Sequence, residues 1–115
     1  MNTLVNKEGK EVGFLYHNVI LLPGYKVSGV LLAHCVFTTR GEVKGKFLEA
    51  YIYNEAGEII AQVATGESAG IIESETARIM KEAWNILSHA TKHDCPWVVA
   101  TETWSKMTLD EFLKQ

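Results

Sequence analysis

Hydrophobic positions between Thr3 and Gly66 recur every sixteen residues, so the stretch divides into units 3–18, 19–34, 35–50 and 51–66. Each unit opens with a short apolar run: Thr3-Leu4-Val5, Val19-Ile20-Leu21, Cys35-Val36-Phe37 and Tyr51-Ile52-Tyr53. A four-residue turn follows in each: Asn6-Lys7-Glu8-Gly9, Leu22-Pro23-Gly24-Tyr25, Thr38-Thr39-Arg40-Gly41 and Asn54-Glu55-Ala56-Gly57. A second run closes the unit, as in Lys10 to Tyr16 and Glu42 to Leu48. Each unit predicts a β-hairpin. A lone hairpin does not stay folded in water, so the four must bury their apolar faces together. Leu4, Ile20, Val36 and Ile52 share one phase of the repeat; Leu15, Leu31, Phe47 and Val63 share another.

Six of the nine glycines fall on two phases. Gly9, Gly41 and Gly57 end their turns, where a left-handed residue follows a type I turn and glycine adopts it without a Cβ penalty. Pro23-Gly24 suits a type II turn, which moves the positive-φ residue one step earlier and leaves Tyr25 at the glycine phase. Gly13, Gly29 and Gly45, with Ala61 completing the set, lie inside the closing strands. Glycine there marks a bulge or the close approach of another backbone. Four small residues at one phase imply strands crowding a common axis. The junctions His17-Asn18, Ala33-His34 and Glu49-Ala50 lack the glycine of tight two-residue turns, so they are expected to pass loosely from one hairpin to the next.

Beyond Gly66 the period changes. Ser74 is an N-cap candidate, and Ile79, Met80, Ala83, Trp84, Leu87 and Ala90 predict one apolar helix face. Arg78, Lys81, Glu82, Asn85, Ser88 and Lys92 form its polar face. Pro96 ends the helix before Cys95. Trp97 to Ala100 predicts a short extended strip. Thr108-Leu109-Asp110-Glu111 is a capping-box pattern opening a short helix with Leu109, Phe112 and Leu113. The expected architecture is therefore α+β and one domain over 1–115. Four hairpin repeats at 1–66 close in a pseudo-four-fold ring, since closure removes sheet edges. A C-terminal part at 67–115 covers one open face with a helix, an extended segment and a short helix.

The spaced N-x-x-G turns followed four residues later by a small residue, Asn6/Gly9/Gly13 and Asn54/Gly57/Ala61, resemble the four-fold β-flower proteins. These are small bacterial proteins with a pseudo-four-fold set of hairpins. The resemblance implies that fold over residues 3–66 and transfers no activity and no site residue.

Composition narrows the function classes. The chain has 115 residues, 47% apolar and 22% charged, with a net charge of −3. These are ordinary values for a globular domain. No basic run offers the clustered charge that a nucleic-acid backbone binder needs, and no apolar stretch reaches the length of a membrane span. Two cysteines are too few for a disulfide framework. A reducing cytoplasm is the expected compartment.

The candidate chemistry is sparse. His89 and His93 lie four apart and share a helix side; with Cys95 they could supply three ligands to zinc, against the plainer reading of histidines at a helix C-terminus. His34-Cys35 places a base beside a thiol, but neighbours in a strand point to opposite faces. Cys35 then reads as a small hydrophobe. Asp94, Glu73 and Glu75 form no convincing carboxylate pair. Gly66-Glu67-Ser68-Ala69-Gly70 lacks the Lys-Ser/Thr ending of a phosphate loop. The expected function is a non-enzymatic binding or protein-interaction module, with a protein partner or self-association through the tryptophan-bearing helix. The alternative is a small zinc protein or enzyme using His89, His93 and Cys95.

Overall fold

A computed structural model describes residues 1–67, 73–90 and 98–114. Eight strands follow one another around a closed antiparallel barrel. They are β1 (Asn2–Val5), β2 (Glu11–Tyr16), β3 (Val19–Leu22), β4 (Lys26–Leu32), β5 (Cys35–Thr38), β6 (Val43–Leu48), β7 (Tyr51–Asn54) and β8 (Ile59–Glu67). β8 returns to β1, pairing Leu4 with Val63, so neither is left as an open edge. Two helices follow: α1 (Glu73–His89) and α2 (Leu109–Lys114).

Turn chemistry sets the strand order. Gly9, Gly41 and Gly57 each donate their N–H to the carbonyl three residues back, at 2.9–3.0 Å. Gly9 sits at φ +78°, and its Asn6 Oδ1 accepts from Glu8 and Lys10 N–H at 3.0 and 2.9 Å. In the second unit Gly24 has the expected positive φ, +88°, yet Tyr25 keeps the left-handed conformation too, at +60°. The Tyr25 ring packs beside Phe14, and its carbonyl accepts from Arg78 Nη2 at 2.8 Å. Those contacts hold a residue that would otherwise disfavour this conformation.

The junctions between units are a correction. Tyr16 pairs with Val19, Leu32 with Cys35 and Leu48 with Tyr51, so each junction is a tight two-residue hairpin. His17, Ala33, His34 and Glu49 take positive φ, between +50° and +67°, without being glycine. The twist of the flanking strands demands such turns, and ladders fixed on both sides override the local preference. The sheet is therefore a continuous meander.

Strand alternation places Leu4, Ile20, Val36 and Ile52 inside the barrel, each fully buried. Leu15 is buried beside them, and Leu31, Phe47 and Val63 pack partly exposed against the same core. A register shift, the mark of a bulge, follows Leu4, Ile20, Val36 and Ile52, each paired with Gly13, Gly29, Gly45 or Ala61. These small residues face a second constraint. A Cβ on Gly45 would stand 2.0 Å from the Tyr53 carbonyl oxygen and 3.0 Å from Phe112 Cζ. Gly13 and Gly29 meet the carbonyls of Leu21 and Phe37, and the side chains of Leu109 and Leu113, in the same way. The space left by the missing side chains is filled by α2, whose Leu109, Phe112 and Leu113 are at most 5% exposed. α2 thus stoppers the end of the barrel rimmed by the four-residue turns.

The other described C-terminal residues cover the outer wall. Ile79, Ala83 and Ile86 of α1 cover Val19, Leu21, Val27 and Val30, and Ala90 reaches Cys35 and Phe37. Val98 and Trp104 pack on Tyr53 and Ile59. Ile59 donates to Thr103 O at 2.8 Å and accepts from Ser105 N–H at 2.9 Å. Among the described residues, α1 covers the wall and α2 covers an end. Residues 98–100 form no strand, and Trp97 lies outside the described residues. α1 begins at Glu73, one residue before the predicted cap. Its buried stripe also differs from the predicted face: Ile86 is buried, while Met80 is 43% and Trp84 74% exposed.

The capping box of α2 forms as its spacing predicts. Glu111 N–H donates to Thr108 Oγ1 at 3.2 Å and Thr108 N–H donates to Glu111 Oε1 at 3.0 Å.

Two predictions follow from this packing. Gly45→Ala must displace a backbone carbonyl and lower unfolding free energy by roughly 1–3 kcal/mol or more. Gly9→Ala, with nothing within 4 Å of its Cβ, costs only the left-handed penalty of roughly 1–2 kcal/mol. Urea unfolding of both variants checks the order. The Thr108 backbone N–H, then the Thr108 side chain, hold the Glu111 carboxyl below the usual carboxylate range. A depressed carboxyl pKa stabilises the fold above its unfolded value and ceases to do so as pH falls through the folded one. Carboxyl-carbon titration by NMR should show Glu111 protonating below the usual glutamate range, and Thr108→Ala should raise its midpoint.

Candidate functional site

Of the proposed zinc ligands, only His89 belongs to the described residues. It is exposed in the last turn of α1, with Nδ1 2.7 Å from the Asn85 carbonyl oxygen. His93 and Cys95 lie outside the described residues. Among the described residues no three His, Cys, Asp or Glu side chains group as metal ligands.

The His34-Cys35 pair separates as strand geometry requires. Cys35 is 1% exposed under Ala90 on the outer wall, whereas His34 is exposed in its turn at φ +67°. Cys35 is disulfide-bonded. A sulfur tied up in this way is no nucleophile. Glu75, read from the sequence as part of no convincing carboxylate pair, accepts from Arg78 Nε at 2.9 Å. The side chain of Glu73 and residues 68–72 and 94 lie outside the described residues. Burial pushes the Tyr53 hydroxyl above its ordinary range, which opposes ionisation of that phenol.

Two surface features remain. The first is the outward face of α1. Trp84 stands over a shallow groove with Arg78, Lys81, Glu82, Asn85 and Ser88. Arg78 is fixed between carboxylates, donating to Glu75 and, from Nη1 at 3.3 Å, to Glu82. Met80 lies one turn before Trp84, so the apolar stripe and a fixed ion-pair network lie side by side.

The second is a cleft of about 160 Å³ between α2 and the barrel rim, lined by Lys26, Ser28, Thr39, Arg40, Asp110 and Lys114 over apolar Leu22, Val27 and Leu113. Sequence reasoning missed it. The available signal is a break in pattern: Val12 and Ile60 are apolar at the bulge, and Ser28 and Lys44 replace them at the same phase.

Comparisons with protein-family models, with curated proteins and with solved structures return no match. Among the described residues no helix is long and apolar enough to cross a membrane, which says nothing of strands.

Proposed function

We propose that this chain is a non-enzymatic interaction module, whose contact surface is the outward face of α1 and whose first partner is a second copy of itself. The observation that carries the reading is Trp84, 74% exposed with Met80 beside it. Tryptophan and methionine are enriched in interfaces, and tryptophan recurs among the few residues that dominate binding energy. The barrel interior is packed with its own side chains, which directs recognition to the outside. Cys35 is buried and disulfide-bonded, and Tyr53 is buried.

We also propose that the four ribbons are equivalent units about one axis, as in the β-flower proteins that the turns resemble. The support is the bulge recurring after Leu4, Ile20, Val36 and Ile52. The same offset appears where Leu31, Phe47 and Val63 N–H groups donate to the carbonyls of Asn18, His34 and Ala50, each at 2.7 Å.

Light scattering and sedimentation at micromolar concentrations and above test the interaction reading. The expected result is a concentration-dependent dimer, weakened about thirtyfold or more by Trp84→Ala, with the unfolding free energy moved by less than about 0.5 kcal/mol. A monomer at every concentration, with Trp84→Ala indistinguishable from it, would refute self-association. Metal analysis of the same preparation separates the zinc alternative: stoichiometric zinc lost on His93→Ala would replace the reading offered here.

A further inference from the structure

We infer that the cleft between α2 and the rim of the barrel is a binding site for a phosphate group. The site is independent of the α1 surface. Three cations, Lys26, Arg40 and Lys114, line it with one carboxylate, Asp110. The chain as a whole carries a net charge of −3, so this lining has the opposite sign to the molecule. Lys114 Nζ is paired with Asp110 Oδ2 at 3.2 Å. That leaves Lys26 and Arg40 as the two charges without a carboxylate partner among the described residues.

The floor of the cleft holds buried polar side chains. Ser28 and Thr38, 6% and 2% exposed, are the buried polar side chains of the described residues. Both belong to this corner. Ser28 lines the cleft. Thr38 pairs with Gly29, the residue after Ser28, and accepts from Arg40 N–H through Oγ1 at 3.3 Å. Around the same mouth Val12 and Ile60 face the stopper helix as hydrophobes. A sequence that keeps its core apolar elsewhere departs from that rule beside two unpaired cations. Such local departures concentrate at functional sites.

The chemistry fits a compact dianion. Two net positive charges balance a phosphate group. A guanidinium donates to its oxygens in a planar fork, and the ammonium adds a point charge. The cleft, of about 160 Å³, has room for a phosphate or a small phosphomonoester.

Titration of the whole protein with inorganic phosphate, followed by amide and side-chain NMR shifts at ionic strength matched with sodium chloride, tests the inference. The expected result is saturable shifts confined to Lys26, Ser28, Thr39, Arg40 and Leu113. Arg40→Ala and Lys26→Ala should each weaken binding about tenfold, as loss of one charge-assisted hydrogen bond implies. Lys10→Ala, on the exposed side of the first turn, should leave phosphate binding unchanged. Glycerol phosphate in a parallel titration separates the sources: tighter binding than phosphate assigns the site to a phosphomonoester, and equal or weaker binding assigns it to the free ion. Shifts that fail to saturate, follow chloride equally or survive both substitutions would overturn the inference.

Discussion

The structure depends on a space that the barrel strands leave empty. Gly13, Gly29 and Gly45 carry no side chains into one end of the barrel, and Leu109, Leu113 and Phe112 lie 3.0–3.3 Å from where their Cβ atoms would be. The same missing atoms let the carbonyls of the next hairpin approach. Strand crowding and helix seating are therefore one constraint, and it joins the last residues of the chain to the first three hairpins. Ala61, at the fourth position, is fully buried, so the smallest side chain still fits there.

The outer wall follows a related logic. A strand whose inner residues face the core and whose outer residues face water should alternate. β3, Val-Ile-Leu-Leu, does not alternate, and all four of its residues are buried. Something must cover its outside, and α1 does so with Ile79, Ala83 and Ile86. The belt also runs close to the turns. A Cβ on Gly57 would fall 2.0 Å from the Val99 carbonyl oxygen, and one on Gly41 would fall 3.2 Å from the His89 and Ala90 backbone. These glycines serve the left-handed turn and the passing chain together.

Much of this was legible because it is local or periodic. The turns at Asn6–Gly9 and Asn54–Gly57, the buried phase through Leu4 and Ile52, and the Thr108–Glu111 box each rest on a few adjacent residues. What was not legible depends on distant ones. Nothing near His17 or Glu49 advertises a left-handed residue; the pairing of the flanking strands imposes it. Trp84 and Met80 fit a helical apolar stripe by spacing, yet both are exposed. Only the barrel wall reveals that Ile86 turns inward and Trp84 outward. The same holds for Lys26 and Arg40, which come from separate hairpins and are brought to one cleft by the pairing of β4 with β5.

The functional reading rests on the rigidity of the scaffold that presents the α1 surface and the α2 cleft, and this rigidity returns to the seated helix. Native-state hydrogen exchange tests that dependence most directly. If α2 is part of the closure, the amide of Phe112, bonded to Thr108 O at 2.9 Å, opens with the same free energy as the amides of Ile20 and Val36, in one cooperative unit. Exchange of the Phe112 amide orders of magnitude faster, with the strand amides still fully protected, would contradict the account.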